Sequence, residues 1–406
     1  MFKQASVSFY NKKIFAVLFF SIFNATLGVG IVIPLLPVYA HDLGASGFYI
    51  SMIFGSFSIS RTFFLPYFGK RSDKYGRKPF IAIGLFCYTL ISLAFIYFNS
   101  MDSLIIIRFM QGIASAMIMP VTQAYVGDIT PKGKEGYYMG LFNMSIFISL
   151  SIGPLAGGYI SDFFDGRQIL FMGEIIKDGL TVTFLCMGIL STVAFLASII
   201  FLPHKSLEKK KSKNQDDSWS KFFKDNEILS IFIFRMGYTI CIAIIWCFIP
   251  VFADKEFNLS SGKIGVLVTS GVFLSGILNT PLGHLADKIS RRKMVNAGGF
   301  IVAISLALIF ISNSFYDLIF AVFVFGIGGG ISMPALMAIA VRSGNRVKAM
   351  GSVMGILTLG QSMGMLTGSL IAGITMDYLK LRYAFLLGSL IIIVSTFLFN
   401  KFYTNT

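Results

Sequence analysis

"GKRSDKYGRK" (residues 69–78) places five cations and one carboxylate within ten residues of a chain that is 55% hydrophobic and only 13% charged. Long apolar runs flank it on both sides. A related stretch, "GHLADKISRR" (283–292), returns 214 residues downstream. Charge confined to a short link between apolar runs, and then repeated, points to a chain that crosses a membrane many times and is built from two copies of one unit.

The totals agree. The 406 residues include 43 Phe and 40 Gly, and the mean hydropathy is +0.76. A water-soluble fold could not hide that much apolar surface. Twelve apolar stretches can be delimited: 14–40, 48–69, 79–98, 103–127, 138–162, 181–202, 227–253, 261–283, 294–312, 316–340, 349–376 and 383–400. Each is long enough to cross a hydrocarbon layer of roughly 30 Å as a helix. Helix is the required form, because lipid offers the backbone no other hydrogen-bond partner. The predicted fold is an all-α integral membrane protein of twelve transmembrane helices. Lys12 and Lys13 lead into a first span too long for a signal peptide, so it is read as a retained helix. Cys87, Cys186, Cys241 and Cys247 fall inside spans and read as small packing residues, with neither metal spacing nor a disulfide framework.

The net charge of +15 does not imply a nucleic-acid partner. With the N-terminus inside, the inner segments hold 25 of the 34 Lys and Arg and the outer loops six. That asymmetry places both termini in the cytoplasm by the positive-inside rule. Three arginines, Arg61, Arg108 and Arg235, lie within spans.

The segment 203–226 is the only long charged run. It reads as a cytoplasmic linker with a short amphipathic helix at Trp219–Phe223, separating an N-terminal bundle (1–202) from a C-terminal bundle (227–406). The two bundles repeat. Gly112 and Pro120 map onto Gly326 and Pro334 at an offset of 214; Gly140, Gly153, Gly158 and Asp162 map onto Gly355, Gly368, Gly373 and Asp377 at 215. Repeats of six spans are a common transporter plan, with the substrate bound between the halves near the midplane.

On these motifs the chain resembles the major facilitator superfamily over essentially its whole length. Gly69, Asp73, Gly76, Arg77 and Lys78 match the family's loop 2–3 signature, with Arg71 where Leu is usual. The second copy keeps Gly283, Leu285, Asp287, Arg291 and Arg292. "GVGIVIPLLPVY" (28–39), then Arg108, Gln111 and Gly112, then Gly140, Gly153, Pro154, Gly157 and Gly158 resemble the drug:proton antiporter branch, which includes multidrug and tetracycline-efflux proteins. Ser149 replaces a further Gly of the last motif. The resemblance implies two pseudo-symmetric six-helix bundles that work by alternating access. It implies a loop 2–3 that latches the halves, and an antiporter motif that serves rocking and leak prevention.

The residues themselves add detail. Asp73 and Arg77 are four apart and can pair on one helical turn; the plainer reading of this loop is a topology signal alone. Gly140, Gly153 and Gly157 allow close helix approach, and Pro154 removes a backbone hydrogen bond. Arg108, Gln111, Ser115 and Thr122 share one sector of helix 4 that lipid would not tolerate. They line a substrate or coupling site or form a structural hydrogen-bond hub. Arg235, Tyr238, Thr239, Ile242 and Trp246 share a face of helix 7, where Arg235 is either a cavity cation or snorkels to the interface. Asn24, Gly28, Ile31 and Leu35 would complete a lining. Arg61 fits snorkelling or pairing equally.

None of the 19 Asp and Glu lies deep in a span, and His41, His204 and His284 are peripheral. The obvious proton carrier is therefore missing. Asp128 and Asp42 are the fallback candidates, against a reading as solvated end charges. Buried arginines without acids favour anionic or zwitterionic substrates over organic cations. The outer loop 163–180 is long enough to fold over the exit as a small cap. No phosphate loop, metal cluster or nucleophile–base pair appears, so neither an enzyme nor a cofactor is expected.

The expected function is export of a small amphipathic molecule in exchange for protons, by a monomer in the cell membrane. The alternatives are an anion, zwitterion or lipid-like-substrate transporter without classical proton coupling, and a non-transporting membrane sensor of the same fold.

Overall fold

A computed structural model describes residues 2–98, 100–130, 135–167, 169–171, 174–176, 178–203, 225–286, 288–347 and 350–403. Its helices are α1 (Phe2–Asp42), α2 (Gly47–Tyr75), α3 (Arg77–Tyr97), α4 (Met101–Ile129), α5 (Glu135–Phe164), α6 (Gly179–Phe201), α7 (Asn226–Phe257), α8 (Ser261–Ala286), α9 (Arg291–Ile311), α10 (Phe315–Arg346), α11 (Met350–Tyr378) and α12 (Arg382–Phe402). All twelve are long and apolar enough to span a membrane. The amphipathic helix expected at Trp219–Phe223 and the repeat residue Asp287 lie outside the described residues.

Several helix starts are set by side-chain caps. Ser100 and Ser103 form a capping box at α4. Asp178 accepts from the Leu180 and Thr181 amides at α6, and Asp225 from the Glu227 and Ile228 amides at α7. Each cap satisfies backbone donors that a helix start leaves open. The loop 163–180 departs from the all-helical pattern. Ile169–Phe171 (β1) and Glu174–Ile176 (β2) pair antiparallel, with Leu170 opposite Ile175.

The side-chain pattern is the reverse of a soluble core. Phe63, Ile200 and Phe397 are 75%, 68% and 71% exposed, as a lipid-facing surface requires. Asn24, Arg108, Gln111, Thr122 and many serines are buried, because in lipid a polar group belongs inside the bundle.

By packing, the chain forms two compact units. One contains α1 up to Leu35 and the chain from Ile59 through α6; the other contains Leu36–Ser58 and α7 to α12. Compaction thus divides α1 and α2 as well as following the charged segment between α6 and α7. In the second unit Asp377, near the end of α11, accepts from the Gly47 and Phe48 amides at 2.6 and 2.9 Å. Ser51 Oγ donates to the Ser369 carbonyl at 2.6 Å. A carboxylate at a helix N-terminus meets both the free amides and the positive end of the helix dipole.

The motif glycines pack helices in both units. A methyl group on Gly153 of α5 would stand 2.9 Å from the Gly30 Cα of α1, and one on Gly157 would stand 3.3 Å from Ile31. In the second unit, a methyl group on Gly364 or Gly368 of α11 would stand 2.6 Å from the Met236 carbonyl oxygen or 2.5 Å from the Ile240 carbonyl oxygen of α7. Gly140 is different, with open space around it. Pro154 and Gly158 are buried within α5. The four cysteines are free thiols.

Candidate functional site

The loop 69–78 is an organised knot of charge in the first unit. Gly76 has φ 92°, a backbone conformation that favours glycine, and it turns the chain from α2 into α3. That turn brings Arg77 back over the end of α2. Its Nη2 meets Asp73 Oδ1 at 2.5 Å, and its Nη1 donates to Ser72 Oγ at 2.6 Å. Its Nε donates to Asp128 Oδ2, at the end of α4, at 3.2 Å. Lys78 Nζ donates to the Ile199 carbonyl of α6 at 2.6 Å. One loop therefore ties together the ends of α2, α3, α4 and α6. Gly69 serves it through its carbonyl, which accepts from Ser72 Oγ at 2.8 Å.

The second copy also ties helix ends together. Arg291 donates to the Ala338 carbonyl of α10 at 3.5 Å. Arg292 donates to the Asn400 side chain and backbone of α12 at 2.9 and 3.0 Å. Gly283 of α8 stands against Pro334 of α10.

Deep in the first unit, Arg108 is 2% exposed and its Nη1 donates to Gln111 Oε1 at 2.6 Å. Ser115 and Thr122 continue the same buried face of α4. Tyr88 of α3 lies beside Ser115 and within electrostatic reach of both Arg61 and Arg108. Gln111 Nε2 and Thr122 Oγ1 make no hydrogen bond among the described residues. Asn24 of α1 is buried and donates to Ser191 Oγ of α6 at 3.1 Å.

The other two arginines within spans share an unforeseen arrangement. Arg61 Nη2 of α2 lies 2.7 Å from the Met119 sulfur of α4. Arg235 Nη1 of α7 lies 2.9 Å from the Met333 sulfur of α10. Met119 and Met333 each precede the helix proline, and they stand at one repeat position, 214 residues apart. Arg235 Nη2 also donates to Gln361 Oε1 of α11 at 2.7 Å. Its head is held among helices rather than extended to a helix end. Tyr238 is buried and stacks on Phe325 at 5.8 Å between centroids; Trp246 is half-buried.

Asp42, at the end of α1, is exposed. It lies with His41 in the electrostatic surroundings of Asp254 on α7.

Sequence reasoning missed Glu227. It is 1% exposed, the only buried carboxylate among the described residues. Its Oε1 accepts from Arg342 Nη2 at 2.6 Å, and Oε2 lies 3.1 Å from Arg346 Nη2. Arg346 also binds Asp225 at 2.7 Å, and Arg342 reaches Tyr403 Oη at 3.3 Å. This network joins the start of α7 to the ends of α10 and α12. The available sequence signal was a pair of cations one helical turn apart, four residues, in the last two turns of α10.

Comparison with known proteins agrees with this architecture. The family model described as Major Facilitator Superfamily matches residues 18–252 and 228–406. An uncharacterised major-facilitator-type transporter of Methanocaldococcus jannaschii is 29% identical over 389 residues, covering 95% of this chain and 96% of that one. Multidrug resistance protein 2 of Bacillus subtilis is 26% identical, covering 95% of this chain and 94% of that one. Among solved structures, the nucleoside transporter NupG superposes with a TM-score of 0.79 at 14% identity, covering 96% of this chain and all of that one; at that identity the likeness concerns the fold.

Proposed function

We propose, since this chain belongs to the major facilitator superfamily, that it exports a small amphipathic molecule from the cytoplasm in exchange for protons. It works by alternating access, as a monomer in the cell membrane with both termini cytoplasmic. The observation that carries transport is Arg108 with Gln111, a guanidinium 2% exposed and deep in a membrane-spanning helix. Ionisable groups at such depth are costly and serve substrate or ion pathways by default. The similarity to a multidrug resistance protein over nearly the whole chain supports export.

Asp128 is the carboxylate best placed to couple protons to movement. It holds Arg77 Nε at 3.2 Å, and Arg77 in turn holds the end of α2 through Asp73 and Ser72. A proton taken up by Asp128 removes the charge that keeps Arg77 on α4. The end of α4 is then freed from α2 and α3, and α4 also carries Arg108. Asp42 is exposed at the end of α1 and holds no such switch among the described residues. The loop 69–78 is in this reading the gate's latch, and the glycines of α5 and α11 are the close-packed surfaces on which helices shift.

The test is accumulation of an amphiphile in everted membrane vesicles. Uptake driven by an imposed pH gradient and abolished by a protonophore supports exchange. Uptake insensitive to the gradient rejects proton coupling, and absence of uptake across a panel of amphiphiles rejects export.

A further inference from the structure

Among the described residues, Arg235 carries a charge without a counter-charge. Its partners are a thioether, a weak acceptor, and one amide oxygen. No carboxylate among the described residues pairs with it. A cation at this position begins about 13 Å along α7 from Asn226, at 1.5 Å per residue. Leaving it uncompensated there is unfavourable, and a purely structural role would be met as well by a neutral donor.

Its surroundings have a direction. Between Gly237 and Ala253 every residue of α7 is buried except Ile242 and Trp246. Those two fall seven and eleven residues after Arg235, on the same helical face. Above Arg235, the half-buried positions of this face are thus apolar. Lipid is not what that face meets, because lipid would meet the guanidinium as well. An arginine fork matches a carboxylate, sulfonate or phosphate in a way that neither Gln361 nor Met333 does.

We propose that Arg235, steadied by Gln361, docks the anionic group of the transported amphiphile, whose apolar body lies along Ile242 toward Trp246. The proposal rests on the reading of the chain as an exporter of amphipathic molecules and names their charge class. Met119 with Arg61 shows that the first unit also sets a guanidinium against the same repeat position, from α2 rather than α7. The arrangement is therefore not a by-product of the duplication.

The experiment uses two probes of one shape and opposite charge, 1-naphthalenesulfonate and 1-naphthyltrimethylammonium. Binding to the purified full chain is measured by equilibrium dialysis, and flux in proteoliposomes. The wild type is expected to bind the sulfonate at least about tenfold more tightly than the ammonium, a difference of about 1.4 kcal/mol. Arg235→Gln is expected to remove that preference by weakening the sulfonate alone, and Arg235→Lys to restore part of it. A wild-type preference for the ammonium overturns the proposal and needs no variant. Sulfonate affinity unchanged in a folded Arg235→Gln protein overturns it too. Sulfonate bound through Arg235 but never moved would sustain the docking site and reject the transport reading. Ammonium moved while sulfonate is ignored would sustain transport and reject the docking site.

Discussion

Asp128 at the end of α4 and Arg342 at the end of α10 stand at the same repeat position, 214 residues apart, with opposite charge. Each finds its complement: Asp128 pairs with Arg77 at 3.2 Å, and Arg342 pairs with Glu227 at 2.6 Å. The duplicated unit has kept an ion pair at this end of both copies while exchanging its sign and its partner helix. The environments differ as well. Asp128 is 34% exposed, within reach of water and protons, whereas Glu227 is sealed between two guanidinium groups. The first pair suits a contact that breaks in each cycle. The second suits one that holds.

Asp73→Asn should therefore slow transport and leave the fold in place. The Asp73 side chain is 61% exposed, and exposed ion pairs of this spacing contribute at most about 1 kcal/mol. Thermal unfolding of the purified variant should shift by a few degrees at most while flux falls severalfold. Wild-type flux would remove the loop from the gating mechanism.

Glu227→Ala should do the opposite. It leaves Arg342 and Arg346 facing each other at the start of α7 without their shared carboxylate. Truncating one partner of a fully buried pair costs about 3–5 kcal/mol. Arg342 is 41% exposed, so solvent screening reduces the expected loss to about 1–3 kcal/mol. The melting temperature in detergent should drop clearly, with proton coupling retained in the surviving protein. Unchanged stability together with lost coupling would reassign Glu227 to the proton path.

Arg108→Ala should abolish transport. Gln111 Oε1 loses its donor and the buried face of α4 loses its only cation. A structural hub alone would show as lower stability with transport intact in the folded fraction. Measured turnover per folded molecule separates the two.

Gly153→Val should disrupt the α1–α5 contact, since even a single added carbon meets the Gly30 backbone at 2.9 Å. Overpacking of this kind costs about 1–3 kcal/mol. Gly140→Ala, in the same motif but in open space, should be tolerated. Equal damage at both positions would mean that motif membership, not packing, decides.

The membrane spans were legible because the requirement for about 20 apolar residues is written directly into composition. Asp73 with Arg77 was legible because four residues are one helical turn. The polar face of α4 was legible for the same periodic reason. Glu227 was not: a carboxylate two residues after a helix cap reads as solvated, and its burial depends on Arg342, 115 residues away. The link between Arg77 and Asp128 was also out of reach, since it spans 51 residues and depends on how α3 and α4 pack. The hairpin Ile169–Phe171 with Glu174–Ile176 was hidden by its shortness. Strands of three residues leave no alternation to detect.

The most direct measurement is proton movement in proteoliposomes that enclose a pH dye, with a pH gradient imposed and amphiphiles added one at a time. Coupled export predicts that at least one amphiphile collapses the gradient in the wild type, and that Asp128→Asn moves the same compound without the collapse. An amphiphile carried by the wild type with no change in lumenal pH would contradict the account.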